Sequence, residues 1–407
     1  MRILFVTDAF PPRCGGSGWS AYEQTRALVA RGHHVSVLRP GAPDQPEFEG
    51  IPQIGFPAWQ TSVPLLRHAA DREIFPRRFR RFAAELIARE RFGIVHAQHV
   101  KTGPASIDAA RDCGIPSAIT VRDYWPVCFW GTKMSGESRC EGCTPWRIIR
   151  CLSANIHALA PAAPAMMPYV RRYLKRVRES IAGATAVISI SHRLKQELLS
   201  FLPENRITVI PNFAALDRPA PLSGQTTAPA YITYAGKFTC SKGIGELLEA
   251  LRAAACGLPV VFIGEGPLRG LIETEIASGR VQGRITGWLE RDQMIDLLAG
   301  GQFNLFPGRW DEPLGRVVIE AGAVGRTSVV FDQGNGGARE ILEDGVSGVF
   351  THSVAEFASA IRGLAMNPAR ALELGAAARR RVEAHFSPDA VIPRIEALYE
   401  AAVASSR

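Results

Sequence analysis

The sequence lacks any uninterrupted apolar run of the roughly 20 residues that a membrane-spanning helix needs. The nearest approach, from Ala158 to Val170, is broken by three prolines. An apolar run near the N-terminus, Ile3 to Val6, ends at Thr7-Asp8 and is too short for the core of a signal peptide. It predicts a buried strand instead. We therefore expect a cytoplasmic protein, either soluble or attached to the cytoplasmic face of a membrane.

The composition lacks the low hydrophobicity and extreme charge of a disordered chain, since hydrophobic residues make up 46% and charged residues 21%. A length of 407 residues favours two or three domains. The net charge of +8 is unevenly placed: residues 1–205 hold 27 basic and 17 acidic residues, and 206–407 hold 20 and 22. The basic first half indicates an anionic surface or an acidic partner on that side.

Short apolar segments alternate with amphipathic ones along most of the chain. The segments that predict strands are Ile3–Thr7, Val35–Leu38, Gly93–His96, Ile115–Val121, Ala186–Ile190, Tyr231–Ala235, Pro259–Gly264, Asn304–Pro307 and Ser328–Phe331. This alternation predicts parallel sheets with crossover helices, hence an α/β fold. The polar, proline-rich stretch from Asp217 to Pro229 resembles a linker.

We expect two doubly wound domains of similar size. The first covers 1–205 and carries a cysteine-rich insertion at about 124–152, and the second covers 206–388. Residues 389–407 predict a C-terminal helix that could pack back on the first domain. In doubly wound domains ligands bind at the carboxyl ends of the strands, so we look for the chemistry in the loops that follow them.

Three loops after predicted strands carry candidate binding groups. Gly15-Gly16 would let backbone amides approach a phosphate or sugar, although the spacing G-x-G-x-x-G of a dinucleotide fold is missing. Lys237 and Lys242 could neutralise a diphosphate, or belong to a solvated surface loop. Glu312 and Glu320 lie eight residues apart and could accept hydrogen bonds from sugar hydroxyls, or serve as capping or ion-paired residues.

Together and in order, these segments resemble the retaining glycosyltransferases of family 4. The matching motifs are Gly15-Gly16, Gly236-Lys237 with Lys242-Gly243, Gly264-Glu265-Gly266-Pro267, Gly287, Trp310-Asp311-Glu312-Pro313-Leu314-Gly315 through Glu320, and Gly337 with Glu340 in the turn that begins at Gln333-Gly334-Asn335. The spacing of Glu312 and Glu320 matches the family's E-x7-E motif. The resemblance implies the GT-B fold, in which two Rossmann-like domains face each other across a cleft.

The resemblance also implies a role for each matching residue. Lys237 and Lys242 would hold the diphosphate of a UDP- or GDP-linked sugar, and Glu320 would bind the ribose. Glu312 would contact the donor sugar as a catalytic residue. The donor site would be completed by backbone of four glycines and one leucine: Gly15, Gly16, Gly266, Leu314 and Gly315. No catalytic metal is expected, because lysines and backbone dipoles supply the positive charge.

One position departs from the family pattern, because Arg122-Asp123 stands where many relatives carry His-Asp. Arginine stays protonated and cannot act as a base. The alternatives are Asp123 and two histidines near the end of a neighbouring strand, His96 and His99, and a donor phosphate oxygen could also accept the proton. The function favoured is transfer of a hexosyl group in cell-surface polysaccharide or glycolipid synthesis. A nucleotide-sugar epimerase of the same fold and a non-catalytic nucleotide-sugar-binding scaffold are the alternatives.

Four of the eight cysteines, Cys128, Cys140, Cys143 and Cys151, fall within 24 residues that show little periodicity. Without a secretion signal, they are expected as thiols or metal ligands rather than disulfides. Four thiolates suit a structural zinc ion or an iron–sulfur cluster, and a reduced cluster of buried thiols is the third interpretation.

Two basic runs interleave cations with aromatic residues: 77–82 (RRFRRF) and 171–178 (RRYLKRVR). Basic amphipathic helices are typical of membrane-surface segments, although a solvated charged face gives the same pattern. In a glycosyltransferase the first domain receives the acceptor, so a glycan or lipid-linked acceptor at an anionic membrane is expected. The sequence has no recognised nucleic-acid-binding module, so nucleic acid is not expected as a partner.

Overall fold

The structure, a computed structural model, describes residues 1–12, 14–41, 46–57, 70–136, 138–216, 231–333 and 336–406. The predicted linker at 217–229 lies outside these residues, as do Arg13 and Gly334-Asn335. The described chain forms two compact units: residues 1–131, 142–211 and 391–407 make up the first, and 132–141 and 212–390 the second. The segment 132–141 therefore packs with the second unit, although the first unit surrounds it in sequence.

The strands carry most of the fold, and their bounds are as follows. They are β1 Arg2–Val6, β2 His34–Pro40, β3 Glu47–Phe48, β4 Ile51–Phe56, β5 Ile94–Gln98, β6 Ser117–Val121, β7 Met134–Ser135, β8 Ser138–Arg139, β9 Ala186–Ser189, β10 Ile207–Val209, β11 Ile232–Ala235, β12 Val260–Ile263, β13 Gly283–Gly287, β14 Asn304–Phe306, β15 Ser328–Phe331 and β16 Val349–Thr351.

The helices connect these strands and cover the sheets. They are α1 Gly16–Ala30, α2 Phe75–Glu90, α3 Gly103–Asp112, α4 Pro145–Ile156, α5 Ala163–Ala182, α6 His192–Leu198, α7 Ile244–Ala254, α8 Arg269–Ala277, α9 Arg291–Gly300, α10 Arg316–Ala323, α11 Gly336–Ile341, α12 Val354–Met366, α13 Pro368–His385 and α14 Pro388–Ser405. Across the residues that the structure describes, no helix is both long and apolar enough to cross a membrane.

The first unit contains a sheet in the order β10-β9-β6-β5-β1-β2-β4-β3. Its strands are parallel except for the short β3, which runs antiparallel to β4. Strand β1 is a continuous apolar run, and Ile3 to Val6 are fully buried because helices cover parallel sheets on both faces. The order reverses between β1 and β5, which creates a topological switch point at their carboxyl ends.

The second unit contains a fully parallel sheet in the order β13-β12-β11-β14-β15-β16. In sequence rank this is 3-2-1-4-5-6, the order of a Rossmann fold, and its switch point lies between β11 and β14. Buried aromatic side chains pack with Leu247 and Phe357 of the covering helices; they are Phe262 and Phe331 of these strands and Phe303 directly before β14. Two α/β domains with parallel sheets are thus confirmed.

The cysteine-rich insertion is more ordered than its sequence indicates. Strands Met134–Ser135 and Ser138–Arg139 pair antiparallel as the β7–β8 hairpin, and Pro145–Ile156 form helix α4. The expectation of little periodicity is wrong for α4, because Ile148 and Leu152 lie one turn apart and bury one face of the helix. Trp146, two residues before Ile148, is 73% exposed, which weakens the apolar signal in the sequence.

Candidate functional site

The turns that follow β11, β12 and β14 meet at the carboxyl edge of the second unit's sheet. The amide of Gly236 donates to the carbonyl of Ile263 at 3.0 Å, and the amide of Phe238 donates to Glu265 at 2.9 Å. Both Arg309 and Trp310 donate their amides to the carbonyl of Ser241 at 3.0 Å. Backbone hydrogen bonds therefore hold the Lys237–Gly243 turn and the Trp310–Gly315 motif on opposite sides of the switch point.

Gly243 allows this close approach. Its φ of +71° lies in the left-handed region, and a Cβ atom there would stand 1.8 Å from the carbonyl oxygen of Pro307. Gly266 is equally constrained, because its Cβ would lie 2.5 Å from the carbonyl oxygen of Phe238. The glycines that the sequence analysis singled out thus serve the packing of one turn against the next.

Lys242 and Glu312 lie directly opposite each other across the switch point. The Lys242 ammonium forms an ion pair with the Glu312 carboxylate and lies 4.8 Å from the centre of the Trp310 ring. The Trp310 indole N–H donates to the same carboxylate at 2.5 Å. Lys237 is exposed, and its backbone carbonyl accepts a hydrogen bond from the buried Tyr234 hydroxyl at 3.0 Å. Burial raises the pKa of Tyr234, so this hydroxyl stays protonated and donates.

Helix α10 carries Glu320, eight residues after Glu312 in sequence. The helix begins after Gly315, whose φ of +90° gives a left-handed N-cap without a side-chain capping bond. Leu314 is buried, and the amides of the first turn of α10 form an ordinary site for an anion. Glu320 is only 5% exposed and accepts a hydrogen bond from Arg316 Nε at 2.8 Å, which compensates its buried charge.

The first unit has a second polar cluster at its own switch point. Asp8 follows β1, and its carboxylate accepts bonds from the Thr102 hydroxyl at 2.7 Å and from the amides of Lys101 and Thr102. Burial raises the pKa of Asp8 to about 6. Its own amide donates to Nδ1 of His99, 3.3 Å away, so Nδ1 is an acceptor and Nε2 carries the proton.

The environment of His99 does not suit a base. Burial, with the charge of Arg122, lowers the pKa of His99 to about 3. Its Nε2 is buried and has no hydrogen-bond partner among the described residues. Its φ of 71° is one that few residues other than glycine adopt. A neutral imidazole with a buried N–H can donate a hydrogen bond, and it is poorly matched to removing a proton at pH 7.

Arg122 lies in a buried network that reaches the C-terminal helix. Its Nε donates to Gln98, and its Nη2 donates to Gln24 at 3.3 Å. Gln24 lies 3.2 Å from Nδ1 of His96, which also bonds the hydroxyl of Tyr399 on α14. The C-terminal helix therefore packs on the first unit and shares its polar interior.

The other residues of the first unit that the sequence predicted for the site are Asp123, Gly15 and Gly16, and their environments differ. Asp123 accepts a hydrogen bond from the amide of Trp125 at 2.9 Å, which forms a local turn. Gly15 is the N-cap of α1, which begins at Gly16, and both are exposed. A Cβ atom on Gly15 would meet nothing within 4 Å, so packing within the protein does not require glycine there.

The four clustered cysteines differ in their exposure. Cys128 is buried, while Cys140, Cys143 and Cys151 are partly exposed, and all are thiols rather than disulfides. Within the described ranges, no three or more His, Cys, Asp or Glu side chains are grouped so that they could hold a metal ion. Zinc or iron–sulfur binding stays a prediction.

Two groups of polar residues escaped the sequence analysis. Asp8 follows directly after a buried strand, and that position alone marks it as a switch-point residue. Arg309 lies directly before the Trp310–Gly315 motif, and its residue type does not predict its contact with the β7–β8 hairpin. Trp310 was identified as part of the motif, but its contact with Lys242 was not predicted. The contacts of Arg139 with residues 170 positions away carry no signal in a single sequence.

Two sequence models match the chain. Residues 14–218 match Glycosyltransferase Family 4, and residues 229–367 match Glycosyl transferases group 1. The first match covers just over half of the chain. A glycogen synthase of Mycobacterium tuberculosis is 27% identical over 432 aligned positions, which cover 100% of this chain and 96% of that protein.

Solved structures share the fold at lower identity. Anabaena HepE, solved in complex with UDP, superposes with a TM-score of 0.69 at 16% identity, covering 98% of this chain and all of that one. Sucrose-phosphate synthase from Thermosynechococcus elongatus gives a TM-score of 0.69 at 19% identity, covering 99% of each chain.

Proposed function

Because the chain belongs to glycosyltransferase family 4, we propose that it transfers a hexosyl group from a nucleotide-sugar to an acceptor hydroxyl with retention of anomeric configuration. The observation that carries the proposal is the Lys242–Glu312 pair across the switch point, with Glu320 buried in the helix that follows the same motif. In a Rossmann-ordered sheet this crevice is where a nucleotide ligand binds. Complexes of HepE with UDP support UDP over GDP as the nucleotide.

The role of the protein in this reaction is to neutralise the negative charge on the diphosphate. Lys242 and the exposed Lys237 supply positive charge to the diphosphate, together with the amides of Gly315 and the first turn of α10. The bond from the sugar C1 to the diphosphate breaks with its electron pair going to the diphosphate. The acceptor oxygen bonds C1 on the same face, and its proton passes to a diphosphate oxygen. This route needs no base at Arg122, Asp123 or His99.

The carboxylates then bind hydroxyl groups. The buried Glu320 can accept from the vicinal hydroxyls of a ribose, and Glu312 can accept from the hydroxyls of the transferred sugar. Trp310 and Lys242 hold the Glu312 carboxylate in place, so its geometry is set before the donor binds.

The test is a donor screen by thermal shift with UDP-, GDP- and ADP-glucose, followed by assay of nucleotide release. A bound donor raises apparent stability by RT ln(1 + [L]/Kd). We expect UDP-glucose to stabilise the protein most and Glu312→Gln to abolish turnover. The exposed Glu249 on α7 provides a matched control, Glu249→Gln, which should behave as wild type. Binding without any turnover in the wild type would favour a non-catalytic scaffold, and inversion at a sugar hydroxyl without transfer would favour an epimerase.

We propose further that the reaction belongs to cell-surface polysaccharide or glycolipid synthesis and that the acceptor is presented at an anionic membrane surface. Helix α5 supports this, since Arg171, Arg172 and Lys175 are exposed while Tyr173 is buried. Arg176, in contrast, forms a bidentate pair with Glu73. Co-sedimentation with vesicles with and without anionic lipid tests the attachment, and negligible binding to both would remove it.

A further inference from the structure

The second unit carries an open cavity of about 470 Å³ beside the Glu312 motif. It is lined by five side chains that the proposed transfer does not use: Met134, Ser138, Arg139, Arg309 and Gln333. Its volume falls within the range of sites for small molecules. Among the described residues that line it, two are arginines and none is a carboxylate, so the lining carries positive charge, which Glu246 balances in part through its ion pair with Arg309.

The β7–β8 hairpin builds one wall and fixes Arg139. Met134 is 7% exposed and anchors the hairpin, while Arg139 and Ser138 at its other strand are exposed. Arg139 Nε donates to the backbone carbonyl of Arg309 at 2.8 Å. Because this bond uses Nε, it orients the guanidinium and leaves its two Nη groups to donate elsewhere.

Arg309 also lines the cavity and connects it with the Lys242 turn. Its Nε lies 3.0 Å from Glu246 Oε1, and its amide is bonded to Ser241. One residue further, Trp310 contacts both Lys242 and Glu312. The cavity and the Lys242–Glu312 pair are therefore connected through two consecutive residues of one turn, Arg309 and Trp310.

Gln333 contributes a side-chain amide to the lining of the cavity, and it follows Asp332 after the end of β15. Gly337 in the following helix, α11, packs closely against the Glu312 motif, because a Cβ atom there would lie 2.5 Å from the Pro313 carbonyl oxygen. Two guanidinium groups, an amide and a hydroxyl are the donors that a carboxylate or phosphate accepts from, and arginine forks match the geometry of both.

We propose that this cavity is an oxyanion subsite that binds a carboxylate or phosphate borne on one of the sugars in the reaction. The identity of the reaction rests on the proposed function; the anion site itself does not. The anionic group can belong to the transferred sugar of the donor or to an acceptor sugar. In either case Arg139, brought in by the hairpin, determines which sugars the enzyme accepts.

The experiment is isothermal titration of the full chain with four probes. UDP-glucuronic acid against UDP-glucose tests an anion on the donor sugar, and glucose 6-phosphate against glucose tests an anion on a free sugar. Each pair is measured with wild type, Arg139→Gln, the conservative Arg139→Lys, and Arg380→Gln. Arg380 is an exposed arginine on α13 of the same unit, so its replacement removes the same charge away from the cavity.

We expect Arg139→Gln to weaken at least one anionic probe about tenfold or more, with the uncharged partner of that pair changed less than about twofold. Arg139→Lys should recover part of the loss, and Arg380→Gln should change nothing. A loss confined to UDP-glucuronic acid assigns the anion to the donor, and a loss confined to glucose 6-phosphate assigns it to the acceptor. Equal losses for charged and uncharged probes, equal effects of the Arg139 and Arg380 variants, or no anion preference in the wild type would overturn the proposal.

The two proposals fail in distinguishable ways. If no nucleotide-sugar binds the folded wild type, the proposed function fails, while the glucose 6-phosphate pair still decides the anion site. If UDP-glucose binds normally but no anionic probe depends on Arg139, the anion site fails and the proposed function stands.

Discussion

Lys242 and Glu312, 70 positions apart in sequence, form an ion pair across the switch point of the second unit. The residue proposed for the diphosphate and the residue proposed for the sugar thus hold each other. A diphosphate must compete with the Glu312 carboxylate for the same ammonium group. Substitutions of these two residues should therefore have different effects on the affinity for UDP and on the turnover of the donor.

We predict that Glu312→Gln binds UDP as tightly as wild type or more tightly, because it removes the competing carboxylate, while turnover of the donor is lost. Lys242→Gln should weaken UDP binding by about tenfold or more. Titration calorimetry with UDP measures both, with Glu249→Gln as the control. If Glu312→Gln weakened UDP as much as Lys242→Gln, Glu312 would instead act by building the turn.

Glu320 gives a prediction at the level of one hydroxyl group. If it binds the ribose, wild type should prefer UDP over 2′-deoxy-UDP, and Glu320→Gln should reduce that preference to about twofold or less. Glu320→Gln also weakens the contact with Arg316, so it should lower the stability of the protein. The ratio of the affinities for UDP and 2′-deoxy-UDP is independent of that loss, because both ligands are measured on the same variant. An unchanged preference in the variant would assign Glu320 to structure alone.

Gly243 provides a test of how the turns are packed. Gly243→Ala should destabilise the protein by about 2 kcal/mol or more, since Cβ would clash with Pro307 and φ is positive. Gly245→Ala, two residues further in α7, meets nothing within 4 Å and should be neutral or stabilising by about 0.5–1 kcal/mol. Denaturant unfolding measures both, and a similar change for the two variants would contradict the packing described.

The sequence predicted the two α/β units well because buried parallel strands are continuous apolar runs. Strand β15, Ser328–Phe331, matches its predicted bounds, and β1 and β11 differ from theirs by one residue. Exposed or short strands were missed: Ile51–Phe56 alternates buried and exposed positions next to an edge, and Met134–Ser135 and Ser138–Arg139 have two residues each, of which only Met134 is buried. Such strands lack the continuous apolar run that marks a buried parallel strand.

The candidate site could be predicted in its residues but not in its pairings. The order of the motifs indicated Lys242, Glu312 and Glu320, whereas the contacts of Trp310 with Glu312 and of Arg316 with Glu320 follow from turn geometry. The basic run at 77–82 is a second example, because Phe79 is fully buried and Arg80 pairs with Asp112. There the aromatic residues are core, and the cations form the solvated face.

Asp8 predicts a pH dependence of stability. Burial raises its pKa from 3.8 to about 6, so the folded state holds a proton that the unfolded state releases between these values. Its contribution to the free energy of unfolding is therefore largest below about pH 4 and falls as pH rises through 6, by roughly 3 kcal/mol.

Comparison with Asp8→Asn isolates this effect from His96 and His99, whose lowered pKa values give the opposite slope in both proteins. The free energy of unfolding of the wild type minus that of Asp8→Asn should become smaller from pH 4.5 to pH 7. Urea unfolding at several pH values measures it. A difference that stayed constant or grew with pH would show that Asp8 is ionised in the folded protein throughout.

The most direct test of the central claim is proton NMR of UDP-α-glucose incubated with the full chain, with water as the acceptor. The signals of the two anomeric protons of released glucose are followed before mutarotation mixes them. A retaining transferase that uses the Lys242–Glu312 site should release UDP and α-glucose first, and Glu312→Gln should release neither. Initial release of β-glucose, or turnover that persists in Glu312→Gln, would contradict the account.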